Sequence, residues 1–173
     1  FKGNAYTEFG TKVGEALEND KYKGFGKKEK KTLKKVTRLD EFERRIELDF
    51  GSFFVLGFID TNNKKGTKLI DYKTGAMNKV AVYEADTYDQ LAIYAGAMWQ
   101  ETGVQPKAAH VELIERTGNP FQNEELLVGK KVAKIEKDIS PERIGKVCED
   151  ILKVAKEISY HYKVLTAFKK VTV

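Results

Sequence analysis

The segment Phe53-Phe54-Val55-Leu56-Gly57-Phe58-Ile59-Asp60 is apolar at every position but its last. A continuous apolar run bounded by turn signals, here Gly51-Ser52 before it and Asn62-Asn63 with Gly66 after it, predicts a central strand covered on both faces. Covering both faces of a sheet takes helices in layers, and the rest of the chain supplies them. Ala5, Phe9, Val13, Ala16 and Leu17 recur with helical spacing, predicting an amphipathic helix to about Glu18. Glu43 to Phe50 alternates, with Ile46, Leu48 and Phe50 on one face, as a half-buried strand does.

Lys68 to Tyr72 reads as a third strand and Ala108 to Glu115 as a fourth; Leu126 to Lys137 reads as a peripheral strand or a hairpin around Gly129. Tyr88, Leu91, Ala95, Met98 and Trp99 form one stripe of a long helix, from about Ala85 to Glu101. Ser140-Pro141 is an N-cap with proline at the first helical position. The helix it opens keeps Ile144, Val147, Cys148, Ile151, Leu152, Ala155 and Ile158 on one face, so Cys148 reads as a buried structural thiol. His110 is expected to face one side of its strand and to pack or hydrogen-bond there. The expected architecture is one α/β domain over residues 1–173, with a mixed central sheet flanked by helices.

Composition narrows the chemistry. One cysteine and two distant histidines, His110 and His161, exclude an intrachain disulfide, a four-cysteine zinc site, an iron–sulfur cluster and a helical two-histidine zinc motif. No apolar run reaches the ~20 residues that cross a bilayer, so a soluble protein is expected. The sequence opens on Phe1 with no signal-like segment, so an N-terminus trimmed or joined to a longer polypeptide is expected. The net charge is +5, yet Lys21 to Arg38 holds nine basic residues against Glu29 alone. Lys27, Lys28, Lys30, Lys31, Lys34 and Lys35 suit sequence-independent contact with phosphates, and the interleaved Tyr22 and Phe25 suit stacking on bases. The same segment, with Gly24 and Gly26, also reads as a solvated flexible loop.

Two successive strands end in aspartate: Asp60 closes Gly57-Phe58-Ile59, and Asp71 follows Leu69-Ile70, with Lys73 two residues on. Carboxylates on adjacent buried strand ends repel each other, and a divalent cation resolves that repulsion. Hard oxygen donors select Mg²⁺ or Mn²⁺ over zinc and leave positions open for water and a phosphate oxygen. Strand alternation puts Lys73 on the face of Asp71, where its ammonium can orient an attacking water. This is the set that metal-assisted phosphodiester hydrolysis needs.

GFID, LIDYKTG and the later YDQLAIYA, in that order, resemble the RecB-like branch of the PD-(D/E)XK nucleases, which includes phage recombination exonucleases and CRISPR-associated nucleases. The resemblance implies a restriction-endonuclease-like core and metal ligands at Asp60, Asp71 and the Tyr72 carbonyl. It assigns Lys73 to the attacking water. It maps a glutamine–tyrosine motif onto Gln90 and Tyr94, on one helix face distinct from the apolar stripe, where they would touch the lysine, the water or the nucleic acid. The family also expects an acid or a histidine four residues after a glycine on the first helix, and that position is Gly14. Glu18, one turn on and on the same face, is the candidate replacement; Glu15 is rotated about 100° away.

The implied activity is a Mg²⁺- or Mn²⁺-dependent deoxyribonuclease, an exonuclease acting at DNA ends in recombination or repair, in the cytoplasm of a bacterial host or a phage-infected cell. DNA is the implied partner, with a recombination protein or helicase as a further one. A nuclease fold kept as a DNA-binding module and a structure-specific endonuclease are the competing readings.

Overall fold

The computed structural model of the protein describes residues 4–171. Helix α1 spans Ala5–Asn19, begins where the Asn4 side chain accepts the Thr7 N–H at 3.0 Å, and buries Phe9, Val13, Ala16 and Leu17. Helix α2 (Lys27–Leu33) follows, then strands β1 (Glu41–Asp49), β2 (Phe54–Asn62) and β3 (Lys68–Gly75). A 3-10 turn at Met77–Lys79 leads into helices α3 (Val80–Ala85) and α4 (Asp89–Thr102). Strands β4 (Ala108–Thr117) and β5 (Leu127–Lys137) and the long helix α5 (Pro141–Val171) complete the order.

The five strands lie in the order β1-β2-β3-β4-β5, antiparallel except for the parallel pair β3 and β4. The sheet is therefore mixed, as expected. One core packs Ile46, Leu48, Ile59, Leu69, Val111 and Leu113 of the sheet against Leu91, Ala95 and Met98 of α4 and Ile144 and Val147 of α5. A second core, on the opposite face, joins α1 to Phe25, Leu33, Val36, Ile114 and Val128. Among the described residues no helix is long and apolar enough to cross a membrane.

Several expectations are corrected. The lysine-rich segment is not a linker: it folds as α2 against β5, with the Glu29 carboxylate accepting both the Gly26 N–H and, at 2.9 Å, the Val128 N–H. Phe25 is buried in the second core, so it offers no face to a base, and Tyr22 is half-buried against the same core; burying their aromatic surface holds α1 and α2 together. Arg38 is likewise occupied, its guanidinium capping the carbonyls of Leu17 and Glu18 at the end of α1.

The apolar run of β2 is covered on one face only. Phe54, Leu56 and Phe58 are 56%, 48% and 48% exposed, because the second core reaches no residue of β1 or β2. The helix expected from Ala85 is broken: Tyr88 has φ 55° and the Asp86 carboxylate accepts its N–H, so α4 starts at Asp89. Short polar side chains at Asp86 and Thr87 offer the backbone non-helical hydrogen bonds, which the apolar stripe could not reveal. Leu127–Lys137 is one edge strand rather than a hairpin.

Ser140 caps α5 as expected, its hydroxyl accepting the Arg143 N–H at 3.2 Å. Ile144 and Val147 are buried, but Ile158 is 64% exposed, because 31 residues span about 46 Å and the 14 of α4 only about 21 Å. Cys148 is half-buried, and burial pushes its thiol up, away from nucleophilic character.

Candidate active site

Strands β2 and β3 pair only at Thr61–Ile70 and Asn62–Leu69, then part. The Asp60 side chain reaches into the parting: its Oδ2 accepts the backbone N–H of Tyr72 at 2.6 Å, taking the place of a ladder carbonyl. In an extended strand the N–H and C=O of one residue point to the same edge, so the Tyr72 carbonyl opens onto this gap too. The GFID glycine has a packing reason. A Cβ at Gly57 would lie 2.5 Å from Cε1 of Tyr94, so the tyrosine ring of α4 rests on the bare backbone of β2.

Alternation along β3 turns Leu69, Asp71 and Lys73 to the α4 side. Asp71 is 1% exposed, and its Oδ2 receives both the Lys73 ammonium at 2.7 Å and the Tyr88 hydroxyl at 2.8 Å. Burial alone would lower the Lys73 pKa, but the Asp71 carboxylate, with Asp60 behind it, more than offsets this and raises it, so the lysine stays charged. Burial and the nearby Asp71 charge raise the Asp60 carboxyl to about 7, against the opposing pull of the Tyr72 N–H and Lys73. Burial and Asp71 raise the Tyr88 hydroxyl as well, keeping it a donor.

Gln90 and Tyr94 lie together, the amide nitrogen of Gln90 donating to the Tyr94 hydroxyl at 2.6 Å. Tyr94 belongs to the main core and is 8% exposed, so this face is not distinct from the apolar stripe as expected. Its hydroxyl edge still senses the site, since burial and the charges of Asp71 and Asp60 raise its pKa while the Gln90 hydrogen bond lowers it. Tyr88, just before α4, packs against the main core as the stripe predicts, and its hydroxyl also donates to Asp71.

A cleft of about 740 Å³ runs between α1 and the strand ends, and Glu15, Glu18, Glu43, Asp60, Tyr72 and Lys73 are among the side chains lining it. Gly14 lines it too, and a Cβ there would meet nothing within 4 Å, so the missing first-helix acid leaves open space. Glu18 is exposed on the cleft rim. Sequence reading missed Glu43, which register sets opposite Asp60, between the pairs Phe42–Thr61 and Arg44–Ile59. Its φ is 48°, and partial burial and the charge of Glu18 push its carboxyl up. Only the strand register could have found it.

Among the described residues, no three His, Cys, Asp or Glu side chains cluster tightly enough to cage a metal by themselves. The available donors are instead two aspartates whose Oδ1 atoms take no hydrogen bond among the described residues, and one carbonyl. A hard divalent ion sharing its shell with water and phosphate fits this set. His110, by contrast, is structural: it is buried, its Nε2 lies 3.2 Å from Oε2 of the equally buried Glu112, and Glu112 accepts the Thr37 N–H.

The mixed sheet, the acids at a strand parting and the lysine two residues on define a restriction-endonuclease-like α/β fold with an acid–acid–lysine centre. The chain belongs to the PD-(D/E)XK nuclease superfamily, whose family model matches residues 9–165. Members of that superfamily generally use divalent metal ions. The chain is also similar in fold to a solved structure from Eubacterium rectale titled "Putative exonuclease", at 12% identity and a TM-score of 0.50, covering 90% of this chain and 68% of that one. No curated protein matches the sequence.

Proposed function

We propose that the domain is a Mg²⁺- or Mn²⁺-dependent deoxyribonuclease of the RecB-like branch, an exonuclease acting at DNA ends in recombination or repair in the cytoplasm of a bacterial or phage-infected cell. The observation that carries the reading is the parting of β2 and β3, where Asp60, the Tyr72 carbonyl and Asp71 meet beside the charged Lys73. An ion held by those donors would offset charge on the phosphoryl oxygens and acidify a water. Tyr88 fixes one oxygen of Asp71 and leaves the other for a ligand. Lys73 sits where it can hold the attacking water and meet the charge that develops on it. Gln90 fixes the Tyr94 hydroxyl at the rear of the gap. Glu18 is the cleft-side acid best placed to act in place of Gly14, directly or through water.

The lysines of α2 and the turn after it supply affinity for the DNA backbone in this reading: Lys27, Lys28, Lys31, Lys34 and Lys35 are exposed and Lys30 is half-buried. Gly14 favours a second reading, a nuclease fold retained as a DNA-binding module. End-labelled linear DNA and closed circular DNA, each incubated with Mg²⁺, Mn²⁺ or EDTA, separate the outcomes. Metal-dependent loss of linear DNA alone supports the exonuclease. Cutting of the circle makes the enzyme an endonuclease, and binding without any metal-dependent cleavage leaves the binding module.

A further inference from the structure

Helix α2 and strand β5 are about a hundred residues apart in sequence but are fastened together. The Thr32 hydroxyl donates to the Gly129 carbonyl at 2.7 Å, Glu29 accepts the Val128 N–H at 2.9 Å, and Leu33 shares a core with Val128. This docking brings a second set of lysines, invisible in the local charge pattern, beside the first. A cleft of about 440 Å³ is lined by Lys35 from the end of α2, by Lys130, Lys131 and Lys134 of β5, and by Met77 beyond the end of β3.

Among the described residues no carboxylate lines that cleft. Among the described residues none of the four lysines makes an ion pair. The nearby acid, Glu115, is taken up by the backbone, its Oε2 accepting the N–H of Lys130 at 2.6 Å and of Lys131 at 2.9 Å. Lys134 donates to the uncharged Thr37 hydroxyl, which draws its ammonium toward the α2 side. Lysines scattered along an edge strand guard against strand pairing. Four unpaired ammonium groups around one cleft concentrate positive potential in a way that edge protection does not require, and a polyanion relieves it.

Met77, just past the end of β3, ties the cleft to the strand that carries Lys73. Lys73 pairs with Leu113 and Leu113 with Ala133, so the middle of this lysine run stands level with Lys73, two strand spacings or about 10 Å away. We propose that Lys35, Lys130, Lys131 and Lys134 form a second nucleic-acid contact, gripping the sugar–phosphate backbone outside the site of Asp60, Asp71 and Lys73. The contact rests on the nuclease reading for its purpose, but it is testable without cleavage.

The test is the salt dependence of binding to a 20-base-pair duplex in EDTA, where no metal-dependent turnover occurs. Each neutralised phosphate adds about 0.9 to the slope of log K against log salt. Lys130→Gln/Lys131→Gln is expected to reduce the slope by about 2 and to weaken binding on every sequence, while Lys130→Arg/Lys131→Arg retains both. An unchanged slope in the glutamine variant with the melting temperature preserved overturns the proposal and leaves these lysines as edge guards. Loss of slope in the arginine variant too overturns it, because that loss follows structure and not charge. Tighter binding of polyglutamate than of DNA by the wild-type protein also overturns it, in favour of an acidic protein partner. If the wild-type protein cleaves no DNA, the nuclease reading fails while the slope still decides the contact.

Discussion

The Asp60 carboxylate accepts the Tyr72 N–H at 2.6 Å at the point where the strands carrying the two residues separate. One side chain thereby closes the ladder and faces the Asp71 carboxylate across the gap. A continuous ladder would satisfy the Tyr72 backbone with Ile59 and leave no room for a ligand between the acids. The parting of β2 and β3 therefore opens the candidate site, with Tyr88 hydrogen-bonded to Asp71 and the Tyr94 ring against Gly57 beside it.

In the proposed mechanism Lys73 would meet charge that grows during reaction more than charge on the resting phosphate. Lys73→Ala is expected to lower single-turnover cleavage by about 10²–10³ while changing DNA affinity little. Cleavage at the wild-type rate by this variant removes the lysine from the mechanism.

A divalent ion that binds only the folded chain stabilises it by mass action. Mn²⁺ is expected to raise the melting temperature of the wild-type protein and not that of Asp60→Ala or Asp71→Ala. An equal rise in all three proteins places the ion elsewhere.

The Asp60 carboxyl is raised to about 7 from an ordinary 3.8, so between those values the folded chain holds a proton that the unfolded chain has released. In EDTA, stability is then expected to fall as pH rises through that window, the reverse of an ion-paired acid, and Asp60→Asn should flatten the profile. Ion binding must displace this proton, so calorimetry at pH 6 in buffers of different ionisation enthalpy should register its release. A pH-independent melting profile contradicts the raised carboxyl.

Glu18 and Glu15 both line the cleft, but only Glu18 shares the helix face of Gly14. Glu18→Gln is expected to reduce Mn²⁺ affinity or turnover well beyond Glu15→Gln. Equal, small effects from the two would mean that the centre works with two carboxylates.

Gly57→Ala places a methyl group 2.5 Å from the Tyr94 ring. Overpacking of this kind costs about 1–3 kcal/mol, and displacing the ring disturbs a hydroxyl that senses the Asp60 and Asp71 charges. A lower melting temperature together with lost turnover is expected; a silent substitution shows that the ring is free to move.

What local pattern controls, the sequence by itself determined. Period-two alternation sets Asp71 and Lys73 on one strand face, and helical spacing gives α1 its buried stripe. Ser140-Pro141 marks the start of α5, and Asp60 and Asp71 on successive strands point to a candidate hard-ion site, although both strands run on past their aspartates, β2 to Asn62 and β3 to Gly75. Those features depend on neighbours within a few residues. Tertiary structure decided everything that depends on which distant segment lies opposite. It left Phe54, Leu56 and Phe58 exposed, because no helix among the described residues packs there, and it buried Phe25 and half-buried Tyr22, because α2 docks on α1 and β5. It broke a helix at Tyr88 so that a hydroxyl reaches Asp71, set Glu43 opposite Asp60, and brought the lysines of β5 to those of α2. Strand register and helix docking are settled by the free energy of the whole packed chain, and no window of sequence contains both partners.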